Sequence, residues 1–302
     1  MLQPTNTTSL ELGLNFAVPQ TPYSASVDWM YLNSSDSSFK QASQNTNEAT
    51  LEFVAPLFEM SPPVFGIKRA DSNVKFNFNN VDINVNRVFS VGPHVQGKIF
   101  GGLNVLSIKQ KITTVFSDFA GALPTPYSYA LPADPSYSFE IESKSKYVGA
   151  GPDLGLNIEY NVVYGVGLVG QVIGTITTGT TSIQEQFSAT SAQLTSIGIG
   201  NSHQEITTPN KTQVVPGFDG KLGVFYHYSG KKIAMLSVEG GYRILSYINA
   251  ISTISPNTLV QPGTTNATPE FSTGTMAIVS TVLQDRPFNM NGPYIDLKLA
   301  MN

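Results

Sequence analysis

The chain predicts an all-β fold: a transmembrane, antiparallel, up-and-down β-barrel of the outer-membrane type. Three observations carry that prediction. Apolar and polar residues alternate with period two along nine segments. Short and long connections join those segments in turn. Charged residues are only 13% of the 302, while hydrophobic residues are an ordinary 41%. Asn, Ser, Thr, Gln and aromatics fill the place that Lys and Glu take on the helices of a cytoplasmic enzyme.

Each strand has its own reason. Leu10, Leu12, Leu14, Phe16 and Val18 alternate with Glu11, Gly13, Asn15 and Ala17. Ala25, Val27, Trp29 and Tyr31 follow, with Asp28 on the other face. Val81, Ile83 and Val85 alternate with Asp82, Asn84 and Asn86. Phe76 and Phe78 are out of phase with them, which predicts a bulge near Asn79-Asn80. Ile99, Leu103 and Val105 oppose Lys98, Gly102 and Asn104. Val148, Ala150, Pro152, Leu154, Leu156, Ile158 and Tyr160 oppose Gly149, Gly151, Asp153, Gly155, Asn157 and Glu159.

Val166, Leu168, Val172 and Ile176 form the next apolar face. Leu222, Val224, Tyr226 and Tyr228 oppose Asp219, Lys221 and His227. Ala234, Leu236, Val238, Tyr242, Ile244 and Ile248 oppose Ser237, Glu239 and Arg243. Ile295, Leu297, Leu299 and Met301 oppose Tyr294, Asp296 and Lys298.

The short connections fall near 19–22, 90–93, 161–164 and 229–231. The long ones run roughly over 35–73, 116–141, 179–211 and 252–289. In hydrocarbon every backbone group needs a partner, and a closed barrel leaves no edge. Phe16, Tyr160, Tyr226 and Tyr228 lie beside the short turns. Trp29, Tyr31 and Tyr242 lie nearer the long loops, so two aromatic girdles are expected. A soluble β-sandwich or lectin is the competing fold. Residues 1–302 read as one domain. The first visible strand runs into a short turn, whereas bacterial barrels normally have an even strand count. "MLQPTNTTSL" also has no secretion-signal character. Both points lead us to expect a further strand and a signal peptide upstream, in a barrel of about ten strands.

Several function classes drop out. There are no cysteines, so disulfides, thiolate metal sites and cysteine nucleophiles are excluded. A net charge of −4 gives nucleic acid no foothold. Gly165-x-Gly167-x-x-Gly170 has dinucleotide-loop spacing, with Glu185 twenty residues on. A β-branched, Gly-rich run follows it instead of the required helix. Glycine on a strand lets a neighbouring backbone or a bulky interior residue come close. His94, His203 and His227 lack ligand spacing, and no G-x-S-x-G elbow occurs. The expectation is therefore no catalytic residue, no metal and no cofactor.

Alternation assigns eight acids inward: Glu11, Asp28, Asp82, Asp153, Glu159, Asp219, Glu239 and Asp296. Four bases join them, Lys98, Lys221, Arg243 and Lys298, with Asn84, Asn104 and Asn157. The excess of four negative charges predicts a modest cation preference. Leu222, Val224, Leu236, Val238 and Leu297 are assigned to lipid.

Several blocks resemble a known family when read in order. They are "SLELGLNFAV…SASVDWMYLNSS", "NNVDINVNRVF…VQGKIFGGLNVLSIKQKI", "YVGAGPDLGLNIEY", "VPGFDGKLGVFYHY…SVEGGYRILSYINA" and "NGPYIDLKLAMN". Together, over about half the chain, they resemble the Legionella-type major outer membrane protein family of porins. The chain departs from that family in its missing first strand and its lack of cysteines. The resemblance implies a pore-forming barrel on the surface of a Gram-negative bacterium, passing ions and small polar solutes. Its partner would be outer-membrane lipid, and oligomers are compatible with it. The alternative is a structural or adhesin-like barrel, with a plugged lumen and loops that bind a host or phage ligand.

Overall fold

A computed structural model describes residues 8–41, 65–122, 134–163, 165–190, 202–228, 235–263 and 272–300. These residues contain no helix. Ten strands form one antiparallel sheet: β1 (Ser9–Ala17), β2 (Tyr23–Gln41), β3 (Phe65–Val91), β4 (Val95–Ala122), β5 (Asp134–Val163), β6 (Val166–Thr190), β7 (Ser202–Thr207), β8 (Lys211–Tyr228), β9 (Met235–Gly263) and β10 (Ser272–Ala300). Neighbours in sequence are neighbours in space, the up-and-down order expected. Only β7 leaves the path, as a short ribbon on the outer end of β6. Among the described residues β1 pairs only with β2 and β10 only with β9, so the sheet is curled but not closed by a ladder.

The short connections fall where alternation placed them: 18–22 and 92–94 separate their strands, and β5 ends at Val163 with β6 beginning at Val166. Positive φ at Gln20, Gly92 and Gly165 lets the chain reverse in so few residues. The fourth, at 229–231, lies outside the described residues, as do "LEFVAPLF" and Ala234. The long connections are far shorter than expected. β3, β4, β5, β9 and β10 each run for 27 to 30 residues. Much of the expected loop sequence is paired strand, including "MAIVSTVL" within β10. Beyond the apolar belt both faces of a strand can be polar, so the alternation that marks a strand fades while the ladder continues.

The outer face is apolar through the part of each strand next to the short turns. Leu222, Leu154, Val85, Leu168, Leu297 and Ile295 are among its most exposed side chains. Leu222 is 71% exposed, Val224 55%, Val238 40% and Leu297 64%. Leu236 is half-buried on the same face. On β5 this face runs from Val148 to Val163. About 11 tilted residues suffice to cross the ~25 Å apolar band of an outer membrane.

One expected irregularity is corrected. β3 stays in continuous register with β2 and β4 through Asn79-Asn80, so no bulge occurs there. Phe78 needs none, because it points inward and is fully buried. The bulge sits on β9 instead. Tyr247 pairs with Phe288 and Ile251 with Arg286, so residues 248–250 face Pro287 alone. Asn249 takes φ 60° there, and proline, which has no N–H to donate, is tolerated at such a position.

Exposure on the outer face generates a depth test. Leu222→Arg, in the apolar band, should lower unfolding free energy in vesicles by about 2–4 kcal/mol, whereas Thr212→Arg, ten residues up the same strand face, should cost about 0–1 kcal/mol. Urea titration of the refolded chain measures both. Equal costs would place the band elsewhere.

Candidate interior site

The inward face divides into two levels. Nearer the short turns lies a charged belt. Arg243 on β9 donates to Asp219 on β8 through Nε at 3.0 Å and Nη2 at 2.5 Å. It also pairs with Glu11 on β1. Lys221 reaches Glu11 at 3.2 Å and Asp296 at 3.5 Å, and its ammonium lies 5.4 Å from the Tyr294 ring. Glu239 takes hydrogen bonds from Lys298 at 2.6 Å and Tyr294 at 2.7 Å. Glu11 is the link that matters for the fold: it comes from the first strand of the path and pairs with bases on the eighth and ninth.

The belt changes character on the β2–β5 side. Asp28 pairs in register with Asp82, and Asp82 with Asn104. Asn80 donates to Asp82 at 2.6 Å, and Asn104 donates to Asp82 and to Asn80. Gly102 lies in register between Asn84 and Asp153, and a Cβ there would strike Asn84. Asn84 and Asp153 are both buried. Lys98 rests 5.2 Å from the Phe100 ring and opposite Asn157. Glu159 lies 3.6 Å from His227. Among the described residues neither Asp82 nor Asp153 forms a salt bridge. The ion pairs of the belt are therefore concentrated on the β8–β10 side and do not reach Asp82 or Asp153.

Above the belt the interior is apolar. Met30, Leu32, Phe78, Leu106, Ile108, Tyr147, Val215, Leu245, Tyr247, Ile251 and Phe288 form one buried cluster. Its centre spans walls that are not sheet neighbours. The Phe78 ring of β3 stacks on Phe288 of β10 at 5.2 Å and 6°, and meets Tyr247 of β9 at 5.9 Å. The backbone N–H of Ser252 on β9 donates to Ser145 on β5 at 3.1 Å. Opposite walls touch, so the interior is filled at this level. Glycine admits the rings lower down: a Cβ on Gly155 would overlap Phe100, and one on Gly167 would overlap Phe225. Within the Gly165-x-Gly167-x-x-Gly170 spacing Gly167 has this role, whereas Gly165 takes φ 82° in the turn and Gly170 meets no ring.

The structure brings Glu11, Asp219, Lys221, Arg243 and Asp296 into one network. Asp28, Asp82, Asp153 and Glu159 stand apart from it. Alternation missed the apolar level. Its signal was present, since Phe78, Leu106, Ile108, Leu245 and Tyr247 fall on the inward phase of their own strands. No group of three His, Cys, Asp or Glu suited to hold a metal occurs among the described residues.

Comparison with known proteins gives one match. A family profile described as Legionella pneumophila major outer membrane protein precursor matches residues 2–301. No curated protein and no solved structure matches the chain.

The upper interior also holds a titratable group. Glu185 is 3% exposed and lies nineteen residues from Val166, about 60 Å of strand and well past the lipid. Burial pushes its carboxyl up to about 7, against hydrogen bonds with Ser143 and the backbone of Ile254. Between the ordinary value of 4.5 and about 7 the folded chain keeps a proton that the unfolded chain has released. Stability should therefore fall as pH rises through that window, by about 1–3 kcal/mol, and level off above it. In Glu185→Gln the slope over this window should be smaller by about that amount. Urea midpoints from pH 4.5 to 8 measure it, and a variant as pH-dependent as its parent would assign the slope to another group.

Proposed function

The chain belongs to the Legionella major outer membrane protein family, and on that footing we propose that it works as a porin-type barrel for ions and small polar solutes, with a modest preference for cations and a gate in its apolar upper level. One observation carries the reading: an apolar outer face encloses a charged inner belt in which Asp82 and Asp153 form no salt bridge among the described residues. Its setting in the outer membrane follows from the family. Leu222, Val224, Leu236, Val238 and Leu297 then meet lipid, and the inward acids, bases and asparagines line the path.

The ion pairs make the preference modest. Glu11, Asp219, Asp296 and Glu239 are offset by Arg243, Lys221 and Lys298 at close range. Asp82 and Asp153 are not, and fixed charge between low-dielectric walls concentrates counter-ions. Above them, Phe78, Tyr247 and Phe288 supply the kind of apolar constriction that shuts a pore by excluding water. A second reading, a structural surface barrel whose outer ends bind a host or phage ligand, is favoured by the same apolar filling.

Planar-bilayer recording separates the two. The parent chain should open rarely, with a reversal potential on the cation side across a salt gradient. Asp82→Asn with Asp153→Asn should move that potential toward zero. Phe78→Ala with Phe288→Ala should raise open probability or conductance severalfold. A silent bilayer in parent and Ala variant alike, with both chains correctly folded, would replace the pore by the structural reading.

A further inference from the structure

Outside the barrel, just past the apolar band, three adjacent strands carry an unusual arrangement of cations. Lys75 of β3 lies in register opposite Lys111 of β4. Lys111 lies opposite Lys144 of β5, and Lys109 opposite Lys146. All five project from the outer face, on the same phase as Val105 and Val148. They are five of the chain's 17 Lys and Arg residues. Directly opposed like charges oppose pairing, so a sheet carrying three such pairs calls for a compensating anion. Glu142 supplies one, at 2.8 Å from Lys111 and 2.6 Å from Lys144. Lys75, Lys109 and Lys146 have no acidic partner among the described residues.

Position indicates what the anion is. Val148 lies one step from Lys146 on the same face, towards the apolar band, and Val105 lies two steps from Lys109 in the same direction. Alongside, Trp29 and Tyr31 of β2 stack at 6.0 Å. The Trp29 indole donates to Asn79 at 2.6 Å, and Asn77 donates to the Tyr31 hydroxyl at 3.3 Å. Rings with an apolar body and a hydrogen-bonded tip mark the level where hydrocarbon gives way to headgroups. The lysines stand at and just above that level. On the next strand, Ser182 and Gln184 of β6 lie opposite Lys146 and Lys144, both uncharged. On this side the run of positive charge ends at β5.

We propose that this face of β3–β5 is a docking surface for the phosphorylated headgroup of an outer-leaflet glycolipid. Lys75, Lys109 and Lys146 bind the phosphates, and the acyl chains lie along Val105 and Val148. Clustered basic side chains at a membrane surface select anionic headgroups in this way. The proposal rests on the outer-membrane setting above, with the short turns on the periplasmic side. It does not depend on whether the interior conducts.

The test uses the folded full chain in neutral detergent, with bisphosphorylated lipid A as the probe. Trp29 is the chain's one tryptophan, so its fluorescence reports on the site directly. A saturable change is expected, weakening as salt rises. Combining Lys75→Ser, Lys109→Ser and Lys146→Ser should weaken binding at least tenfold while heat-modifiable gel mobility is retained. Lys109→Gln alone should give a smaller loss in the same direction, and serves if the triple variant does not fold. Lys211→Ser, on β8, should change nothing. Dephosphorylated lipid A should bind the parent no better than lipid A binds the triple variant. Undiminished binding in the substituted chains, or equal binding of the dephosphorylated lipid, would overturn the proposal. Complete displacement by millimolar inorganic phosphate would overturn it too, by making the patch a site for free anions.

Discussion

A strand offers its side chains to two faces only, and in this sheet one of those faces is claimed by lipid. Everything else follows from that constraint. Once Leu222, Val224 and Leu297 point out, Asp219, Lys221, Glu239 and Asp296 have nowhere to go but in. Burying such charges is costly unless each finds a partner with good geometry. The inner belt answers with shared partners: Arg243 serves Asp219 and Glu11, and Lys221 serves Glu11 and Asp296. Because Glu11 comes from the first strand, this electrostatic requirement also draws the two ends of the sheet toward each other.

The two interior levels meet different solvents. Around the belt the outside is hydrocarbon, so the outer face supplies the apolar surface and the inside is left polar. Higher up, the outside is water, and the sheet must find its apolar contacts within. Phe78, Leu106, Tyr147, Tyr247 and Phe288 provide them, as in a soluble protein's core. The change of level shows on the surface as well, where Val148 gives way to Lys146 and Lys144 one step at a time.

Most of the fold was legible in the sequence, because period two is a strong signal wherever one face must be apolar. It placed the strand order and the short turns that fall within the described residues. It failed where both faces carry similar residues. The upper strands, such as 65–75 and 272–282, read as loop because apolar and polar residues occupy both phases. The bulge expected near Asn79-Asn80 has a related origin: Phe76 and Phe78 are out of phase with Val81, Ile83 and Val85 because they lie on the inward phase of an unbroken strand. The true bulge at 248–250 had a local sign in Pro287, but its meaning depends on a pairing partner across the sheet. The split between paired and unpaired acids could not be read from alternation, which says which side a charge is on and not whom it meets.

The length of the strands has a consequence for encounters at the cell surface. A strand of 28 to 30 residues, as in β4, β5 and β10, is two to three times what the membrane needs. At the usual tilt and rise the surplus stands roughly 40 Å above the lipid. The sheet is thus a stiff collar rather than a set of tethers. Whatever approaches from outside meets its rim first, at a height fixed by paired backbone, and an insertion near the tips would change that rim while leaving the membrane-embedded wall untouched.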